Sequence, residues 1–248
     1  MADAASTRPQ KVLLDVRGLR VAYGKAEVVR DVSFDVRAGE FVVVLGRNGA
    51  GKSTILHAIS GLIPKRAGSV TFEGRDLSSA TPRETVRAGI VQVLEGHRVF
   101  QTLSVEDNLL IGTYAKAPRG DRTKLERIYA LFPEMAERRT QMASRLSGGQ
   151  QQILAVAQGV IGDPRLLVLD EPSGGLAPIV VDRILDVAAK LCADGLAILL
   201  VEQLVDKALR HAHWGYLVET GRIAARAASA DRRDGELVRR VYLGGHAA

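Results

Sequence analysis

Between Val12 and Val44 apolar and polar positions alternate in short runs, as in Val32, Phe34 and Val36 set against Ser33, Asp35 and Arg37. A period of two marks strands that bury one face, and Tyr23-Gly24 and Ala38-Gly39 supply turns, so this part predicts antiparallel sheet. Phe41 to Leu45 breaks the alternation with a continuous apolar run, the pattern of a strand buried on both faces. It leads into a glycine-rich loop and an amphipathic helix over Gly51 to Leu62, the strand, loop, helix order of a phosphate-binding unit. From about Leu103 to Val160 the spacing turns helical: Ser104 with Asp107 three residues on predicts a cap, and Arg122 to Phe132 repeats its apolar residues at helical intervals. Strands return at Leu166 to Leu169 and Leu196 to Val201, separated by a helix that Pro178 opens and Gly195 closes. A hairpin turning at Thr220-Gly221 and a last helix near Gly235 to Tyr242 complete an α/β chain without internal repeats. The pattern reads as one compound domain over residues 11–243, with a helical subdomain at about 101–160. A disordered tail precedes it at residues 1–10, and a short tail follows at 244–248.

Composition narrows the function classes. With 46% hydrophobic and 25% charged residues, 248 residues suffice for a full core without covalent staples. The single cysteine, Cys192, lies in an apolar stretch, which excludes an intrachain disulfide and points to a buried thiol in a reducing compartment. No apolar run approaches the roughly 18 residues that a membrane span requires. The opening MADAASTRPQ lacks the apolar core of a secretory signal, so a cytoplasmic location is expected. The net charge is +6, but 28 acidic residues are interleaved among 34 basic ones and aromatics make up 4%, so no nucleic-acid partner is expected. His211 and His213 have no companion at ligand spacing and read as a solvated helix end.

Three segments carry chemistry. Gly46-Arg47-Asn48-Gly49-Ala50-Gly51-Lys52-Ser53, followed by Thr54, matches G-x-x-x-x-G-K-[ST], in which glycines let backbone N–H groups converge on phosphate oxygens. Lys52 is expected to reach the β- and γ-phosphates of ATP, and the Ser53 hydroxyl to hold Mg²⁺. The run Leu166 to Leu169 ends in Asp170 and Glu171, at the sheet edge where ligands bind. Asp170 is expected to complete the metal shell and Glu171 to activate water as a general base. Leu146-Ser147-Gly148-Gly149-Gln150 predicts a second anion site, because Ser147 can cap a helix over Gln151 to Ile161 whose first N–H groups stay open. One nucleotide does not need two phosphate sites in one chain.

These three motifs, in this order from about Val12 to Val218, resemble those of the ATP-binding-cassette (ABC) ATPases. The resemblance implies a P-loop NTPase core with an antiparallel β subdomain and a helical subdomain. It also implies head-to-tail pairing of two such domains, in which Ser147, Gly148, Gly149 and Gln150 of one cap the ATP held by Gly46 to Ser53 of the other. Tyr23 falls where an aromatic ring stacks on adenine. Three positions depart from the commonest family pattern. In Val93-Leu94-Glu95-Gly96-His97-Arg98, Glu95 stands where a metal-sensing glutamine is usual, with Gln92 three residues early. Gln203 stands where a histidine contacts the γ-phosphate, and Ala177 where an aspartate is usual.

Such departures resemble one of the two ATP-binding subunits of importers for branched-chain amino acids and related amides. That implies partners: multispan membrane permease subunits met through Glu95 to Ser104 and the helical region, a second ABC ATPase or a second copy, and indirectly a solute-binding protein. The chain would lie peripherally on the cytoplasmic face of the membrane. The alternatives are a site degenerate at Glu95 and Gln203, and a non-transport ATPase. Against the first stand Lys52, Asp170 and Glu171. A DNA-maintenance member inserts long coiled coils between Lys52 and Leu146, where no sustained heptads occur. Members serving iron–sulfur assembly stay open, and translation-type members usually carry two cassettes per chain.

Overall fold

The computed structural model describes residues 11–96, 98–116 and 121–228. Both expected tails, His97 and the helix expected near Gly235 to Tyr242 lie outside them.

The alternation at the start forms one long hairpin, β1 (Val12–Tyr23) and β2 (Ala26–Arg37), with Val16 opposite Phe34 and Tyr23 opposite Ala26. The strands are longer than the pattern suggests because bulges shift the register along them. There follow β3 (Phe41–Leu45), α1 (Lys52–Ile59), β4 (Ala67–Phe72), β5 (Arg75–Asp76), α2 (Pro82–Ala88) and β6 (Ile90–Val93). The helical stretch comprises α3 (Val105–Ile111), α4 (Leu125–Leu131), α5 (Pro133–Ala136) and α6 (Gly148–Ile161). The chain then runs through β7 (Leu166–Asp170), α7 (Pro178–Ala193), β8 (Ala197–Glu202), α8 (Val205–His211), β9 (Trp214–Glu219) and β10 (Arg222–Ala228).

Among the described residues two sheets form. The antiparallel one has the order β2-β1-β4-β5. The other has the order β10-β9-β3-β8-β7-β6 and is parallel from β9 to β6. The apolar run in β3 has a direct reason: Phe41, Val43 and Leu45 face a core built with α6 and α7, while Val42 and Val44 face a second core built with α1 and the antiparallel sheet. Cys192 is buried in the first core, its thiol donating to the Gly39 carbonyl at 3.3 Å, and burial pushes it up to about 11.

Some boundaries differ from expectation. Helix α1 stops at Ile59, and the turn beyond it passes through Gly61 at φ 71°. Helix α6 starts at Gly148 rather than Gln151, because Ser147 and Gln150 form a reciprocal capping box. Thr81 and Glu84 form another such box, which with Pro82 opens α2, a helix the apolar pattern does not announce.

Helix α3 docks on α6 through Gly112: a Cβ there would lie 2.2 Å from the Gln158 carbonyl oxygen and 2.7 Å from Ile161 Cγ2. Gly112→Ala is therefore expected to cost about 1 to 3 kcal/mol by overpacking. In thermal unfolding this should appear as a Tm lower by roughly 2 to 10 °C. An unchanged Tm would mean that α3 is free to move off α6.

Candidate nucleotide site

Parallel pairing brings the C-terminal ends of β3, β8, β7 and β6 to one edge, with Leu45 beside Glu202 and Asp170 beside Val201. This is the edge at which open α/β sheets bind ligands. From β3 the chain turns through Gly46 to Gly51 into α1. Gly49 and Gly51 take φ of 77° and 102°, and a Cβ on Gly46 would lie 2.5 Å from the Val218 carbonyl oxygen. The turn between β9 and β10 pins the loop, Gly221 N–H donating to the Ala50 carbonyl at 2.9 Å.

Two residues at the start of α1 reach the acidic pair. Lys52, 3% exposed, places Nζ 3.0 Å from Glu171 Oε1 and donates to the Arg47 carbonyl at 3.2 Å. The Ser53 hydroxyl donates to Asp170 Oδ1 at 2.9 Å. Asp170, 2% exposed, also accepts from Gln92 Nε2 at 3.3 Å, and His57 Nε2 lies 3.5 Å from its Oδ2. Glu171 has the left-handed φ of 44°, its N–H donating to the Val201 carbonyl at 3.0 Å, and Gln203 Nε2 donates to its Oε2. Lys52, Glu171 and Gln203 thus form one connected row.

Lys52, Ser53, Asp170, Glu171 and Gln203, widely separated in sequence, meet here. Gln92 and His57 join them without having been singled out for this place. His57 was findable, since it follows Ser53 by four residues on the same helix face. Of Gln92, within β6, and Glu95, just after it, Gln92 is the one that touches Asp170. Glu95 is exposed, its Oε1 3.9 Å from where a Cβ on Gly174 would stand. Tyr23 ends β1 with 51% exposure, at the surface rather than in the core. A cavity of about 460 Å³ opens beside the loop, lined by Arg47, Asn48, Gly49 and Ala50 with Val218 and Thr220. The exposed Ser147 and Gly148 make no hydrogen bond or ion pair to that loop among the described residues. Gly149 packs toward α7, a Cβ there meeting Val180 Cγ2 at 3.0 Å. His213 Nδ1 accepts from Phe41 N–H at 2.9 Å, a structural contact at the start of β3.

The donors suit a small hard cation. The Ser53 hydroxyl, the Asp170 carboxylate and Gln92 Oε1, a buried atom with no hydrogen-bond partner among the described residues, are all oxygens, as Mg²⁺ prefers. Gly46, Gly49 and Gly51 carry no side chain that could stand between the loop's backbone N–H groups and an anion.

A family model described as ABC transporter matches residues 29–174. The chain is 40% identical to the high-affinity branched-chain amino acid transport ATP-binding protein BraG of Pseudomonas aeruginosa, over 90% of this chain and 96% of that protein. It is 32% identical to the lipopolysaccharide export system ATP-binding protein LptB of Escherichia coli, over 93% of this chain and 97% of that protein. By fold it matches a nucleotide-free ATP-binding cassette from an ABC transporter, with a TM-score of 0.81 and 25% identity, over 95% of this chain and 96% of that one. Near-complete coverage on both sides, by sequence and by fold, assigns the chain: it belongs to the ABC transporter ATP-binding cassettes and is an ATP hydrolase.

Proposed function

We propose that this cassette energises an importer of branched-chain amino acids or related small amides, from the cytoplasmic face of a membrane. The observation that carries the reading is the likeness to BraG over nearly the whole of both chains, at higher identity than to the exporter ATPase LptB. The helices between α1 and α6 are short, which speaks against a coiled-coil DNA-maintenance ATPase. No helix among the described residues is long and apolar enough to cross a membrane, so the permeation path would belong to multispan permease subunits. A groove of about 270 Å³ between α2, β6, α3 and α6, lined by Val86, Leu94, Arg98, Ile111 and Ala155, offers them a docking place beside Glu95 to Ser104. A solute-binding protein would deliver the substrate. Residues 11–243 act in this reading as one ATPase domain, with 101–160 as its helical part.

In this proposal the N–H groups from Gly46 to Thr54 and the Lys52 ammonium hold the phosphates. Ser53 and Asp170 hold Mg²⁺, with Gln92 beside Asp170 and Glu95 acting through water; the metal supplies neutralising charge on the phosphate oxygens. Glu171 takes the proton of the attacking water, Gln203 donates to the γ-phosphate, and Tyr23 offers its exposed face to adenine.

The second anion site, Ser147 to Gln150, would cap the nucleotide of a partner cassette, a different ATPase or a second copy. Dimerisation should then require ATP. Ser147→Arg is expected to leave ATP binding to the monomer intact and to abolish the ATP-dependent dimer, read by light scattering with and without nucleotide. An equally stable dimer without ATP would refute that arrangement.

The transport reading is tested in proteoliposomes holding this chain, its copurifying membrane subunits and a solute-binding protein. ATP-dependent accumulation of radiolabelled leucine is expected. Accumulation absent for leucine, isoleucine, valine and small amides, with lipopolysaccharide stimulating hydrolysis instead, would overturn it.

A further inference from the structure

Glu202 takes none of the roles above, yet it is the most thoroughly hydrogen-bonded carboxylate near the site. It ends β8 with 1% exposure, directly before Gln203. Its Oε1 accepts from Ser173 N–H at 3.0 Å. Its Oε2 accepts from the Ser173 hydroxyl at 2.7 Å and from Gln203 N–H at 3.0 Å. Burial pushes this carboxyl up from its ordinary value, while Ser173 and the N–H groups of Gln203 and Leu204 pull it down. A buried carboxylate is tolerated only where donors replace its water, and here every neighbour named is a donor.

The partners of Glu202 are the chain neighbours of the reacting groups. Ser173 follows Glu171 by two residues, and Gln203 follows Glu202 by one. Glu171 keeps its left-handed backbone through its N–H bond to Val201, and its carbonyl accepts from Gly174 N–H at 3.2 Å. Since Gln203 Nε2 donates to Glu171 Oε2, a ring closes from Glu171 through Ser173, Glu202 and Gln203 back to Glu171. We propose that Glu202 is a positioning residue for ATP hydrolysis, its carboxylate clamping Ser173 to the backbone of Gln203 so that Glu171 and Gln203 keep one mutual pose. The inference rests on Glu171 acting as the general base. Its physical ground is that a base and its partner held together by a rigid buried bridge do not have to be reordered at each turnover.

Glu202→Gln tests it with little change in shape, because an amide offers one acceptor oxygen and turns an NH₂ group toward existing donors. Ser173→Ala removes one arm of the clamp, and Ser173→Thr restores a hydroxyl; this pair carries the test should Glu202→Gln fold poorly. ATP hydrolysis by the full chain is measured in steady state and in single turnover. Glu202→Gln is expected to lower kcat about tenfold or more, through misplacement alone. KM for ATP should stay within about twofold, the sign of a loss confined to the transition state. Ser173→Ala should lose about threefold and Ser173→Thr regain it. In the Glu171→Gln background, Glu202→Gln should cost much less, because the base that it holds against Gln203 is gone. A wild-type kcat in Glu202→Gln, a KM that rises in step with the rate loss, or an undiminished loss in the Glu171→Gln background overturns the proposal while leaving Glu171 in its role. Wild-type turnover in Glu171→Gln alone would instead remove the premise, and the proposal with it.

Discussion

Lys52→Ala is expected to bind ATP about 10- to 100-fold more weakly than the parent chain and to hydrolyse none measurably. Lys52 is nearly buried, with its ammonium committed to Glu171 and to the Arg47 carbonyl in the loop. An incoming phosphate would compete for a donor already aimed at the loop's mouth, so recruitment requires little movement. A hydrogen bond to a charged group contributes about 1.5 to 3 kcal/mol, which sets the size of the loss. Alanine would also leave Glu171 without its cation beside the nucleotide's negative charge. The measurement is a titration with a fluorescent ATP analogue, with unfolding followed in parallel. Wild-type affinity in a folded Lys52→Ala chain would show that the backbone cradle suffices. Lys52→Arg is expected to fail as well, since a planar fork does not fit a pocket that leaves Lys52 only 3% exposed.

The legible part of the site is the part whose chemistry is local in sequence. Phe41 to Leu45 must be apolar throughout because its two faces enter different cores, and that demand is written in five consecutive residues. Gly46 to Ser53 is legible for a related reason: left-handed backbone at Gly49 and Gly51 and the crowding at Gly46 admit almost nothing but glycine there. Gln92 was not legible in the same way. Its partner Asp170 lies 78 residues away, and only the parallel pairing of β6 with β7 sets the two side by side. Spacing carried over from a family pattern points three residues further, to Glu95, which the structure leaves exposed near Gly174. Glu202 was hidden by its chemistry: a carboxylate at the end of an apolar strand reads as solvated, and nothing local says that Ser173, 29 residues earlier, supplies the donors that let it be buried. Strand length in the first hairpin escaped for a third reason, because bulges that bend β1 and β2 also interrupt the alternation by which strands are read.

Glu171→Gln is expected to separate binding from chemistry: ATP affinity is kept or improved, while hydrolysis falls about 100- to 10,000-fold, the range a general base contributes. The carboxylate now pairs with Lys52 through Oε1 and accepts from Gln203 through Oε2. An amide keeps an acceptor oxygen but no charge, so its bond to the Lys52 ammonium is weaker than the carboxylate's and the ammonium is more readily released to phosphate. Removing a negative charge from beside the γ-phosphate also lowers the repulsion that opposes closure of two cassettes over the nucleotide. The variant should therefore accumulate as an ATP-bound dimer, seen by light scattering, a state in which the parent chain is expected only during turnover. Single-turnover hydrolysis gives the chemical step directly, and the contrast with Lys52→Ala is diagnostic, since that variant loses the dimer together with the nucleotide. A Glu171→Gln chain that hydrolyses ATP at the parent rate would move the base elsewhere, and one that loses ATP as Lys52→Ala does would make the Lys52–Glu171 pair a support of the loop rather than a reserve released by substrate.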